Sequence, residues 1–258
     1  MYSFSSTCMG TGFVFQIEDE GSTDSFAKLC NSALEILQDA DQRFSLYKDD
    51  SEISLLLRHE ADWSNASHQQ QLVLAEVEDW KTRTQGFFDA REHSADYDPS
   101  GYVKAWATQN AANYLLANGV RKFTINAGGD VYLSPDLTSP LLNRVGLSNL
   151  KSIADEGSGA NLVLDLINTQ YRAVATSGIS ERGEHIWRKD QNKELVQVSV
   201  VGKDLLEADI WATAIISGGM EAWNVFLAKT HQALTAIAIT RDGQLFSAPG
   251  FVQLLARV

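Results

Sequence analysis

The chain has 258 residues, four prolines and no Ser-, Gly- or Pro-rich run, so it is one large domain or two intimately packed halves, with no linker to divide it. Its 33 Asp plus Glu outweigh 21 Lys plus Arg, and no compact basic face is visible, which disfavours a nucleic-acid or anionic-membrane partner. Cys8 and Cys30 are too few and too far apart for a disulfide scaffold or a zinc site and read as free core thiols. No apolar run approaches the roughly 18 residues of a membrane span. The N-terminal stretch lacks a basic segment followed by a long apolar one, and Cys8 has no such segment before it as a lipid anchor would need; the expectation is a cytoplasmic protein with no membrane span.

In chain order, Phe13, Phe15 and Ile17 alternate with Val14 and Gln16, which predicts an opening strand within 8–18 preceded by the turn Met9-Gly10-Thr11-Gly12. A helix over 23–40 follows, with Phe26, Leu29 or Cys30, Ala33 or Leu34, and Leu37 on one face and Thr23 as N-cap. The polar stretch 43–53 reads as a surface loop whose Phe44 and Tyr47 tuck into the core, with a second cap at Ser51. Residues 67–85 predict a mostly exposed helix ended by Gly86. Beyond it, Phe87-Phe88-Asp89 is either core packing with a cap or one wall of a pocket for a flat ring.

From Asp98 to Tyr132 the pattern is loop, helix, strand and glycine turn. Asp98-Pro99-Ser100-Gly101 opens a helix over 103–117 that Asn118-Gly119 stops, a short strand over 122–126 follows, and Ala127-Gly128-Gly129-Asp130 turns the chain. A polar loop therefore faces a glycine turn, with Lys104 one turn into the helix. Neither G-x-x-x-x-G-K-[ST] nor G-x-G-x-x-G occurs, so the two commonest nucleotide loops do not explain it.

Further strands are expected within 141–149, 162–165, 171–176 and 196–201. The charged stretch 181–187 contains His185; the other histidines, His59, His68, His93 and His231, sit in exposed-looking contexts without H-x-x-x-H spacing. A helix over 205–217 stopped by Gly218-Gly219, a short helix over 220–229, a strand over 234–239 and a hairpin turn at 241–244 into 245–251 complete an α+β pattern.

In LLEADIWATAII, Asp209 and Thr213 are four residues apart and share a helical face among Leu206, Ile210, Trp211, Ala214 and Ile215. In one reading Thr213 bonds back to its own helix and Asp209 is a favourable charge near the N-terminal turn. In the other, both are oxygen ligands of a hard divalent ion, with a loop carbonyl as a further ligand.

Eight segments in order, Met9-Gly10-Thr11, RFSLYKDDSEIS, GFFDAR, DPSGYVKAWA, NAGGDV, AVATSG with Glu181-Arg182, His185-Ile186 and ADIWATA, resemble the ApbE-like family of FAD:protein FMN transferases. The resemblance implies two packed α+β subdomains. It also implies magnesium-dependent (Mg2+) transfer of the FMN half of FAD to a Thr or Ser hydroxyl of an acceptor flavoprotein, with release of AMP. Asp209 and Thr213 match the family's metal-binding D-x-x-x-T, and the Gly101 carbonyl matches a third ligand. Asp98, Lys104, Met9, Tyr47, Phe87, Phe88, Asp89 and Ile186 match FAD-contacting positions. His185 is the candidate proton acceptor, since an imidazole can take a hydroxyl proton near neutral pH.

Two departures stand out. Where the family has H-I-x-D-P-x-T-G, this chain runs His185-Ile186-Trp187-Arg188-Lys189-Asp190, so either Asp190 substitutes from a shifted position or the loop is rebuilt. Ala105 also replaces the glycine after the lysine. An FAD pyrophosphatase and a non-catalytic FAD-binding protein remain the alternative readings.

Overall fold

The computed structural model describes residues 1–91, 97–136, 138–147, 162–178, 195–230 and 233–256. Strands β1 (Tyr2–Cys8) and β2 (Thr11–Ile17) form an opening hairpin, and α1 (Thr23–Phe44), α2 (Glu52–Leu57), α3 (His68–Arg83) and α4 (Ser100–Ala117) follow. Next come β3 (Phe123–Ala127), β4 (Asp130–Leu133), β5 (Arg144–Leu147), β6 (Leu162–Asp165), β7 (Ala173–Gly178) and β8 (Leu195–Gly202). Helix α5 (Leu205–Thr230), β9 (Thr235–Thr240) and β10 (Leu245–Ser247) end the order.

Eight strands make one antiparallel sheet in the order β1-β2-β3-β4-β7-β8-β9-β10, and β5 and β6 pair separately. Because side chains alternate across a sheet, the central strands serve two cores. Ala173, Ala175, Val198, Val200, Ala236 and Ala238 join the core built by α1, α4 and α5. Their neighbours Val174, Val201 and Ile237 face the other way and meet Val145, Leu147 and Leu164 of the small β5–β6 sheet. Alanines dominate the helical face, which lets α5 approach closely, while branched residues fill the other.

The α+β class and most elements agree with the sequence pattern; the differences have local causes. The opening strand is a hairpin: β1 is a Ser/Thr-rich edge strand whose hydrophobic signal is carried mainly by Tyr2 and Phe4. Helix α1 is capped by Ser22 rather than Thr23, through its acceptance of the Ser25 N–H at 3.2 Å, and runs on to Phe44. Ser51 is the expected cap, but of the short helix α2. Phe44 is buried, whereas Tyr47 is 97% exposed, so the expectation that both tuck into the core holds for the first alone.

The two helices expected around Gly218-Gly219 are continuous except for a kink at Gly219, whose φ of 58° and ψ of −141° suit only glycine. Among the described residues, no helix is long and apolar enough to cross a membrane.

Gly219→Ala should therefore destabilise the fold by about 1–3 kcal/mol in urea titration. Gly12→Ala, where an added Cβ meets nothing within 4 Å, should stay within about 1 kcal/mol of the parent. Both cysteines are buried, and burial pushes the Cys30 thiol up to about 11. Native protein should thus react slowly with a thiol reagent at pH 7.5, and both thiols should react at once after denaturation.

Candidate active site

A cleft of about 1300 Å³ opens where the β1–β2 turn, the start of α4, the β3–β4 turn, the end of β7 and the first half of α5 converge. Glycines set how closely these parts approach. Gly128 has a φ of 62°, and a Cβ there would lie 2.2 Å from Thr11 Oγ1, so the Gly128-Gly129 turn is seated on the opening hairpin. The Gly128 N–H donates to the Gly12 carbonyl at 2.9 Å and locks this contact.

The aromatic pair after α3 is held the same way. Phe87 lies on Gly218 of α5, where a Cβ would come within 2.2 Å of its ring, and Phe88 lies 3.3 Å from the Cβ position of Gly101 in α4. Both rings are buried and both line the cleft, so the pair packs into the core and borders the cleft at once. Asp89, beside them, is fixed by Lys81 Nζ at 2.5 Å and accepts the Arg91 N–H at 2.9 Å. Asp98 accepts the Ser100 N–H at 2.9 Å and the Ser100 hydroxyl, forming the turn that launches α4. Tyr97, next to it, is buried, and burial pushes its phenol far above the ordinary range, so it remains a neutral hydroxyl.

The charged centre lies deeper. Lys104 Nζ is ion-paired with Asp130 and stands 3.7 Å from Asp209 Oδ2. Asp130 is 1% exposed, and its other oxygen accepts the Thr176 N–H at 2.9 Å. Asp209, also buried, is in the second turn of α5 rather than its first, and Thr213 follows one turn later. The Thr213 hydroxyl meets Ser177 Oγ at 3.1 Å, on the side facing β7.

Asp209, Thr213 and Gly101 thus line one cleft with a second hydroxyl, Ser177, beside Thr213. This set of oxygens, with a single carboxylate, fits a hard divalent ion that takes its remaining ligands from water and phosphate. Among the described residues no group of three or more His, Cys, Asp or Glu forms a richer metal cluster.

Met9, Tyr47, Phe87, Phe88, Asp89, Asp98, Gly101, Lys104, Asp209 and Thr213 all border this cleft. His185 and Ile186 lie outside the described residues, as do His93, His231 and Asp190. Asp130 and Ser177 have no assignment from the sequence. Asp130 reads as the last residue of a glycine turn; the available signal was a carboxylate opening a strand that continues Val131-Tyr132-Leu133.

The family model described as the ApbE family matches residues 90–238. FAD:protein FMN transferases of Klebsiella pneumoniae and Vibrio cholerae are each 26% identical, over 159 and 158 residues, covering 57% of this chain and 46% of each relative. The matched stretch thus spans about half the length of those relatives. Among solved structures, the Vibrio cholerae flavin transferase ApbE superposes with a TM-score of 0.79 at 20% identity, covering 98% of both chains. The apo Pseudomonas stutzeri flavinyl transferase ApbE gives 0.77 at 20% identity, covering 99% of this chain and 97% of its own. The fold is shared across nearly the whole length, and with the family model matching more than half of its residues, the chain belongs to the ApbE family.

Proposed function

We propose that the whole chain acts as one unit that transfers the FMN half of FAD to a Thr or Ser hydroxyl of an acceptor flavoprotein, releasing AMP, with magnesium at Asp209, Thr213 and the Gly101 carbonyl. The observation that carries this reading is the convergence of an ammonium, two carboxylates and the Phe87-Phe88 wall on one cleft. At about 1300 Å³ the cleft exceeds the roughly 300–1,000 Å³ typical of small-ligand pockets, as an extended dinucleotide requires. The names of the relatives, FAD:protein FMN transferase, agree with it.

The acceptor hydroxyl oxygen attacks the FMN-side phosphorus, the bridging P–O bond breaks, and AMP leaves with that electron pair. Lys104 places positive charge beside the pyrophosphate, where negative charge shifts towards the leaving group. Asp98, held by Ser100 at the start of α4, and Asp89, held by Lys81 of α3 and the Arg91 N–H, orient the nucleotide, while Phe87, Phe88 and Met9 exclude water around its rings. Tyr47, exposed at the rim, offers a ring face for the flavin. His185 takes the hydroxyl proton. The chemistry a bound magnesium ion supplies is charge neutralisation on the pyrophosphate.

Incubating the protein with FAD, magnesium and a peptide bearing a D-G-x-T-x-A-T-like or S-G-A-T-like sequence, then weighing the peptide, tests this directly. Gain of one FMN is expected; free FMN and AMP with an unchanged peptide would replace transfer by hydrolysis, and neither product would leave FAD binding alone. Those two outcomes are given weight by the altered sequence after His185.

Asp209→Ala should lower magnesium-dependent turnover by at least about 100-fold with an unchanged circular dichroism spectrum; full activity would move the ion elsewhere. His185→Ala should slow transfer by about 100- to 10,000-fold while FAD still binds, read by flavin fluorescence.

A further inference from the structure

Lys104 is an ammonium between two carboxylates from different elements, Asp130 at the start of β4 and Asp209 on α5. The two contacts are unequal: Asp130 forms the direct ion pair, while Asp209 Oδ2 is 3.7 Å away. Asp130 has no freedom to follow the lysine, because it is 1% exposed and its other oxygen is tied to the Thr176 N–H of β7 at 2.9 Å. Asp209 must serve a divalent ion in the function proposed above, on which this inference rests. An ammonium and a divalent ion at one carboxylate compete, because like charges at such distances repel strongly in a partly dry cleft.

We propose that Asp130 is a positioning residue that anchors the Lys104 ammonium on the β4 side and so leaves Asp209 available to a divalent cation. With the anchor, the lysine stays beside the phosphates without occupying the cation's place. Without it, the ammonium relaxes onto Asp209.

The test is binding of Mn2+ alone to the full chain without FAD, read as loss of the free-ion electron paramagnetic resonance signal. Asp130→Asn keeps the shape and an acceptor for the Thr176 N–H but loses the charge, and should weaken Mn2+ binding about 10-fold or more. Lys104→Met, and the double variant Asp130→Asn with Lys104→Met, should bind Mn2+ no more weakly than the parent. A merely structural Asp130 would weaken binding in both backgrounds, and a double-mutant cycle separates these cases.

Unchanged binding by Asp130→Asn, or weaker binding by Lys104→Met, overturns the inference while leaving the cation site in place. Absence of Mn2+ binding by the parent removes the cation site and the inference together. Should Asp130→Asn fail to fold, as judged by circular dichroism, Lys104→Met decides alone: equal or tighter binding supports the proposal and weaker binding overturns it.

Discussion

Burying charge is the constraint on which this molecule depends. Asp130 and Asp209 are almost wholly withdrawn from water, and a carboxylate in that position is tolerable only with a cation and hydrogen bonds around it. Among the described residues Lys104 is a cation beside both, and it reaches them because three elements meet at one point: the start of α4, the Gly128-Gly129 turn and α5. Each approach has its own requirement. The turn needs a residue without a Cβ against Thr11, the middle of α5 needs one at Gly218 beneath Phe87, and at the start of α4 Gly101 lies close against Phe88. The charged centre and the packing of the aromatic wall are therefore specified by the same few small residues.

The division of the sheet into two cores follows from the same economy of space. Small side chains on the helical face of β7 bring α5 close enough for Thr213 to meet Ser177. The opposite face takes branched residues, and the β5–β6 pair covers them. A larger residue at Ala175 would push α5 outwards, and overpacking of this kind costs typically about 1–3 kcal/mol.

Elements with a regular signal were legible in the sequence: α1 from its apolar face, β8 from its run of valines, the α4 region from the turn residues at both ends. Asp209 and Thr213 could be paired because helical spacing alone puts them on one face. Three features were hidden for physical reasons. The edge strand β1 gains its order from pairing with β2 and carries little hydrophobic signal of its own. Tyr47 looks like a core aromatic, and only the course of the chain between α1 and α2 leaves it in solvent. Asp130 was disguised by the glycines before it, since what defines it is an ion pair with Lys104, 26 residues earlier, and a bond to Thr176, 46 residues later. Such long-range partners leave no local pattern.

The bond between Asp130 and Thr176 has a mechanical side. Strands β4 and β7 are joined where the chain departs to make β5 and β6, and their ladder is short, with Val131 opposite Val174 and Tyr132 opposite Ala173. Just past those rungs the Asp130 side chain accepts a β7 backbone N–H, so a carboxylate extends the ladder where main-chain pairing gives out. This joint is the seam between the four strands on one side and the four on the other. A force that draws on Asp130, from a bound cation or from a shift of Lys104, is thereby also a force on the stitching of the two half-sheets.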